Sequence, residues 1–201
     1  MKIVFKGSSV LELNKGQGDL SRWALFYKLE TMSFREFLQL QHDLILPVLS
    51  LAQILTEHRK IANDLTKKIK PYSYWDEYLS YGAYPFFREG KKYYRERIRQ
   101  VIITVLENDL PSVSVLDYYG VLRIKKLLSI ISHIVPFKPN IQELAHKVGT
   151  DRFTIYKYLD YLEKARMLNL LHHENQGIGA LNKPEKIYME NTSLLFALST
   201  N

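Results

Sequence analysis

With 201 residues the chain can hold one large domain or two small ones, and 46% apolar content supports a packed core rather than wholesale disorder. The absence of cysteine excludes disulfides and thiolate metal sites. A net charge of +7 suits phosphate-bearing partners, and no stretch approaches the ~18–20 apolar residues of a membrane span.

The opening stretch, MKIVFKGSSVLEL, lacks the apolar core of a signal peptide, so the expectation is a soluble, cytoplasmic protein with no membrane partner. Lys2 to Lys6 is β-prone and ends in Gly7-Ser8-Ser9, small polar residues where open α/β sheets place ligand-facing groups. A loop with Gly16 and Gly18 leads to a second aromatic-rich strand, Trp23 to Leu29. Ser33-Phe34-Arg35-Glu36 is a capping box and predicts a helix through Phe37, Leu38 and Leu40.

Residues 43–70 read mainly as helix, because Leu44, Val48, Leu51, Ile54 and Leu55 recur at three- and four-residue spacing. Tyr74 to Tyr81 is a short helix ended by Gly82 and Pro85. Tyr93 to Leu106 is helical again, with Ile98, Val101, Ile102 and Val105 on one face and Arg95, Arg97 and Arg99 on a solvated one. Asp109-Leu110-Pro111 predicts a break and the domain boundary.

The sharpest pattern lies between Asn140 and Leu170. Ile141, Leu144, Ala145 and Val148 form one helical stripe, Gly149 stands where a helix end needs positive φ, and Asp151 caps a second helix, Arg152 to Arg166. Ala145 is small where two helices cross, and Ile155 packs back against both. These spacings are those of a helix-turn-helix. Tyr118 to Val135 supplies a third helix. Met167 to Leu171 and Lys186 to Met189 read as strands around a polar wing, His172 to Lys183, which completes a winged helix.

The outward positions of the second helix are Arg152, Phe153, Thr154, Tyr156, Lys157, Asp160, Tyr161 and Lys164. Arg152, Lys157 and Lys164, with Lys183 and Lys186 at the wing, are candidate phosphate contacts, and Thr154 or Tyr156 a groove contact. Asp160 and Glu163 count against DNA, and no residue pair is set for two-point base readout. DNA and a protein partner therefore stay open.

No complete active site is written in the chain. There is no GxxxxGK[ST] loop, since Gly90-Lys91-Lys92 lacks the upstream glycine and the hydroxyl. Neither G-x-S-x-G nor H-E-x-x-H occurs. His172-His173 diverge as adjacent side chains and form no metal site. Pro184-Glu185-Lys186 lacks the acidic residues of a nuclease core.

Lys2 to Ser9, Gly18-Asp19-Leu20-Ser21-Arg22, LETMSFREF (29–37) and YLSYGAYP (78–85), continued by TIYKYLDYLEKARML and PEKIYMENTSLLFAL, resemble one family. It is the bacterial and archaeal AAA-type ATPases whose C-terminal region is a winged helix followed by a nuclease-like domain. The resemblance implies a mainly α fold with a small β content: remnant α/β ATPase strands, a helical lid region and a winged helix-turn-helix. It implies an ATPase remnant over 1–110, the winged helix over 111–190 and the start of a truncated region over 191–201. Ser8 and Ser9 would be latent sensor residues and Arg22 a latent arginine finger, although Trp23 stands where relatives usually carry a second basic residue. ATP and magnesium belong to the complete family member, whose phosphate loop precedes the strand that starts this chain, so no cofactor is expected here alone. The expectation is a C-terminal portion of an ATPase whose winged helix binds DNA or a partner protein. The alternatives are a subunit that completes an ATPase with a separate nucleotide-binding chain, a self-associating fragment, or a degenerate product without function.

Overall fold

The computed structural model describes residues 25, 27, 29–114, 116–134, 138–172 and 183–199. Two units divide it, Leu29–Tyr94 and one that includes Arg95–Asn201. The expected first strand, Lys2 to Lys6, lies outside the described residues, as does most of the second. Its described members Leu25, Tyr27 and Leu29 are exposed and belong to no strand.

The first unit begins with α1, Phe34–His42, started by the expected capping box: Ser33 Oγ accepts from the Glu36 N–H, and Glu36 accepts from the Ser33 N–H at 2.8 Å. Asp43 ends it in the left-handed region at φ 54°. The expected helix over 43–70 is shorter than its apolar spacing suggests. It is α2, Leu51–Lys68, begun by a second capping box between Ser50 and Gln53. Residues 43–50 are not helical. Pro47 explains the difference, since it supplies no N–H and forbids helix at the residue before it. None of α2 is buried.

Next come α3, Tyr72–Tyr81, and a 3-10 turn over Pro85–Glu89. Phe34 and Phe37 of α1 meet Tyr78 at ring distances of 5.2 and 5.6 Å, and Phe37 meets Phe87 at 5.4 Å. These off-parallel aromatic contacts, with Leu38, build the core of this unit. The Tyr78 hydroxyl donates to the Met32 carbonyl at 3.0 Å. Burial, and secondarily the Glu36 charge, push its pKa up.

Apart from its first residue, α4, Tyr94–Thr104, belongs to the second unit, as do a π-turn over Val105–Asp109 and α5, Leu110–Val113. The expected break at Asp109-Leu110-Pro111 is therefore helical. Pro111 cannot donate and its ring crowds the carbonyl four residues back; the wider π-turn just before it, closed by Leu110 N–H to Val105 O, accommodates that. The buried stripe is Ile98, Ile102, Leu106 and Leu110, whereas Val101 is exposed. Arg97 is exposed as expected, but Arg95 and Arg99 are only partly so. Arg99 Nε donates to the Ala197 carbonyl at 2.6 Å, and the Arg95 guanidinium lies 5.8 Å from the Phe196 ring.

The remaining elements are α6, Tyr118–Ser132; α7, Ile141–Val148; α8, Arg152–Lys164; β1, Leu168–Leu171; β2, Lys186–Met189; and α9, Thr192–Ser199. The two strands pair antiparallel, Leu168 opposite Met189 and Leu171 opposite Lys186. Leu127 of α6, Ile155 and Leu162 of α8, Leu168 of β1 and Ala197 of α9 are almost fully buried and mark where the core sits. The fold is mainly α with a small β sheet. Among the described residues no helix is long and apolar enough to cross a membrane.

Candidate nucleic-acid interface

The turn between α7 and α8 forms as its residues dictate. Asn140 caps α7, accepting from the Glu143 N–H, and Gly149 ends it at φ 81°. The N–H groups of Gly149 and Thr150 both reach the Ala145 carbonyl at 2.9 Å, which closes the helix end. Asp151 then caps α8, accepting from the Thr154 N–H at 2.9 Å and from its hydroxyl at 2.6 Å. Those bonds, the hydroxyl's first, hold the Asp151 carboxyl below the ordinary aspartate range. Two residues earlier than expected, at Lys164, α8 gives way to a turn: Arg166 stands at φ 59° and its guanidinium meets Glu190 at 3.2 Å.

Ile155, Tyr158, Leu159 and Leu162 are the buried face of α8. The opposite ridge, read at helical spacing, is Phe153, Lys157, Asp160 and Lys164. Arg152 and Lys157 are exposed and have no carboxylate partner among the described residues. Lys157 Nζ lies 5.6 Å from the Tyr161 ring centroid, which steadies the long side chain over an aromatic face. Lys183 and Lys186 are exposed at the base of the hairpin.

The other expected contacts are occupied within the fold. Thr154's hydroxyl is held by Asp151 and Tyr156 is half-buried. Lys164 pairs with Asp160 at 2.7 Å, so that carboxylate is neutralised by its own neighbour. Glu163 turns toward β1, accepting from the Leu170 N–H at 3.3 Å. The two acidic residues that counted against DNA are thus each engaged. Sequence reading placed Phe153 on the outward face without a role; at 78% exposure it is the most open apolar side chain of α8. The helical spacing that makes it the first residue of the ridge is the signal for it in the sequence.

Ser8, Ser9 and Arg22 lie outside the described residues. His172 stands at the end of β1, its Nδ1 buried without a hydrogen-bond partner among the described residues. No group of three or more metal-ligating side chains occurs among the described residues.

Three helices followed by an antiparallel pair of strands make residues 118–189 a winged helix-turn-helix. The chain belongs to the family described as "Domain of unknown function (DUF8612)", which it matches over residues 72–201, from the first residue of α3 onward. No curated protein and no solved structure matches the chain.

Proposed function

We propose that the winged helix binds duplex DNA through α8 and the base of the hairpin, by phosphate contacts and with little dependence on sequence. The observation that carries this reading is the state of the ionised groups on α8. Among the described residues Arg152 and Lys157 are exposed without carboxylate partners, while Asp160 is paired with Lys164 on the helix surface and Glu163 accepts from the Leu170 N–H. The net charge of +7 supports it, because lysine and arginine side chains that neutralise phosphates release the counterions condensed on the DNA, which provides the sequence-independent part of the affinity. Lys183 and Lys186 are the further contacts. Lys164, being paired, contributes less than the spacing alone implied.

In the larger setting, the resemblance to AAA-type ATPases supports reading the chain as a C-terminal portion of such an ATPase, cytoplasmic as the lack of cysteine suits, and without ATP hydrolysis by itself.

Fluorescence anisotropy with a labelled duplex of mixed sequence tests the binding. With four phosphates neutralised, affinity should fall about a hundredfold between ~50 and ~200 mM salt. Absence of binding at ~50 mM salt would leave the winged helix as a protein-docking module instead.

A further inference from the structure

Phe153 is the second residue of α8 and the first of the outward ridge, with Arg152 beside it and Lys157 one turn on. At 78% exposure its ring adds little to the core, and the helix would form equally well with a polar residue there. On a recognition helix lying in the major groove, side chains of the first turn reach the base edges while flanking cations hold the phosphate walls. Two neighbours that could hydrogen-bond a base are otherwise engaged: Thr154 donates to Asp151 and Asp160 accepts from Lys164. What the ridge presents to the groove floor is an apolar ring between two cations.

A phenyl ring offers no hydrogen bond to the donors and acceptors of the base edges. The one apolar group that the major groove displays is the 5-methyl of thymine. We infer that Phe153 packs against thymine methyl groups and gives the module a modest preference for A·T pairs. The inference rests on the DNA reading above and adds a base preference to phosphate binding. Burying one methyl group corresponds to about a fourfold gain in affinity, too small to make the module sequence-specific but large enough to measure.

The experiment compares alternating poly(dA-dT) with alternating poly(dA-dU), duplexes that differ in the thymine methyl, at ~50 mM salt. The wild-type chain should bind the thymine polymer about fourfold more tightly. Phe153→Ala should bind both equally and keep the wild-type salt slope, and Phe153→Leu should retain part of the preference. The side chain is exposed, so these variants fold as the wild type does. Equal wild-type affinity for the two polymers overturns the inference and leaves phosphate binding standing. A preference that survives in Phe153→Ala overturns it too, because another group then reads the methyl. Binding to neither polymer overturns the DNA reading and the inference together.

Discussion

Gly149 stands at φ 81° between α7 and α8, with nothing within 4 Å of where a Cβ would be. Its constraint is therefore backbone conformation, and Gly149→Ala should destabilise the second unit by about 1–2 kcal/mol in urea melts. Gly82 is constrained by space. Its φ of −76° suits any residue, but a Cβ would lie 2.1 Å from the Tyr78 ring and 2.7 Å from the Tyr78 carbonyl. Gly82→Ala should cost about 1–3 kcal/mol through displacement of that ring, read as lost near-UV circular dichroism along with a lower denaturation midpoint. Asp151 adds a pH dependence. Because its folded pKa is depressed, the stability it contributes is full above the ordinary value of 3.8 and is lost as pH falls through the lower folded value. The stability difference between wild type and Asp151→Asn, which caps without titrating, should shift against wild type below that pH; a pH-independent difference would show that the carboxylate charge is immaterial. Glu77, by contrast, is pushed up by burial but held below its usual range by Lys91 and His42, whose Nε2 lies 3.0 Å away.

At the scale of elements, local signals in the sequence were sufficient wherever a cap or a turn residue acts within a few positions. The Ser33 box, the α7–Gly149–α8 turn and both strands of the hairpin formed as their residues imply. Two elements depended on more than spacing. Leu44 and Val48 fit a helical stripe with Leu51, yet Pro47 and the Ser50 box delay α2 by eight residues beyond 43. The π-turn shifts the phase of the helix it interrupts, so Leu106 rather than Val105 joins the buried stripe. The partial burial of Arg95 and Arg99 is not legible locally, because their partners, Phe196 and the Ala197 carbonyl, lie about a hundred residues away in sequence, beyond any local pattern. Within the candidate site, Lys164 with Asp160 is an i,i+4 pair and was legible; the commitment of Thr154 to Asp151 follows from the cap geometry. The exposed face of α2 leads to a prediction of its own. Leu55 is 68% exposed, and Leu55→Ala should change stability by no more than about 0.5 kcal/mol, while Ile155→Ala, fully buried, should cost about 2–5 kcal/mol. A loss of that larger size at Leu55 would show that α2 packs against something in solution.

For the whole molecule, charge and fold support one another in the DNA reading. The basic balance of the chain is a long-range property, whereas the lack of carboxylate partners for Arg152 and Lys157 among the described residues depends on which neighbouring carboxylates the fold engages. The ATPase side of the resemblance rests on Ser8, Ser9 and Arg22, outside the described residues, and on a phosphate loop the sequence does not contain. Calorimetry on the purified chain should accordingly give no micromolar affinity for ATP, since the loop supplies the backbone donors and lysine that cradle the phosphates. The salt dependence of DNA binding in Arg152→Ala/Lys157→Ala probes the central claim most directly. Wild type should show a slope of log affinity against log salt of about −3.6, at ~0.9 per phosphate, and the double variant about −1.8, with binding weakened alike on all duplexes. An unchanged slope, or affinity lost for one sequence and kept for the rest, would contradict phosphate contact by these two side chains.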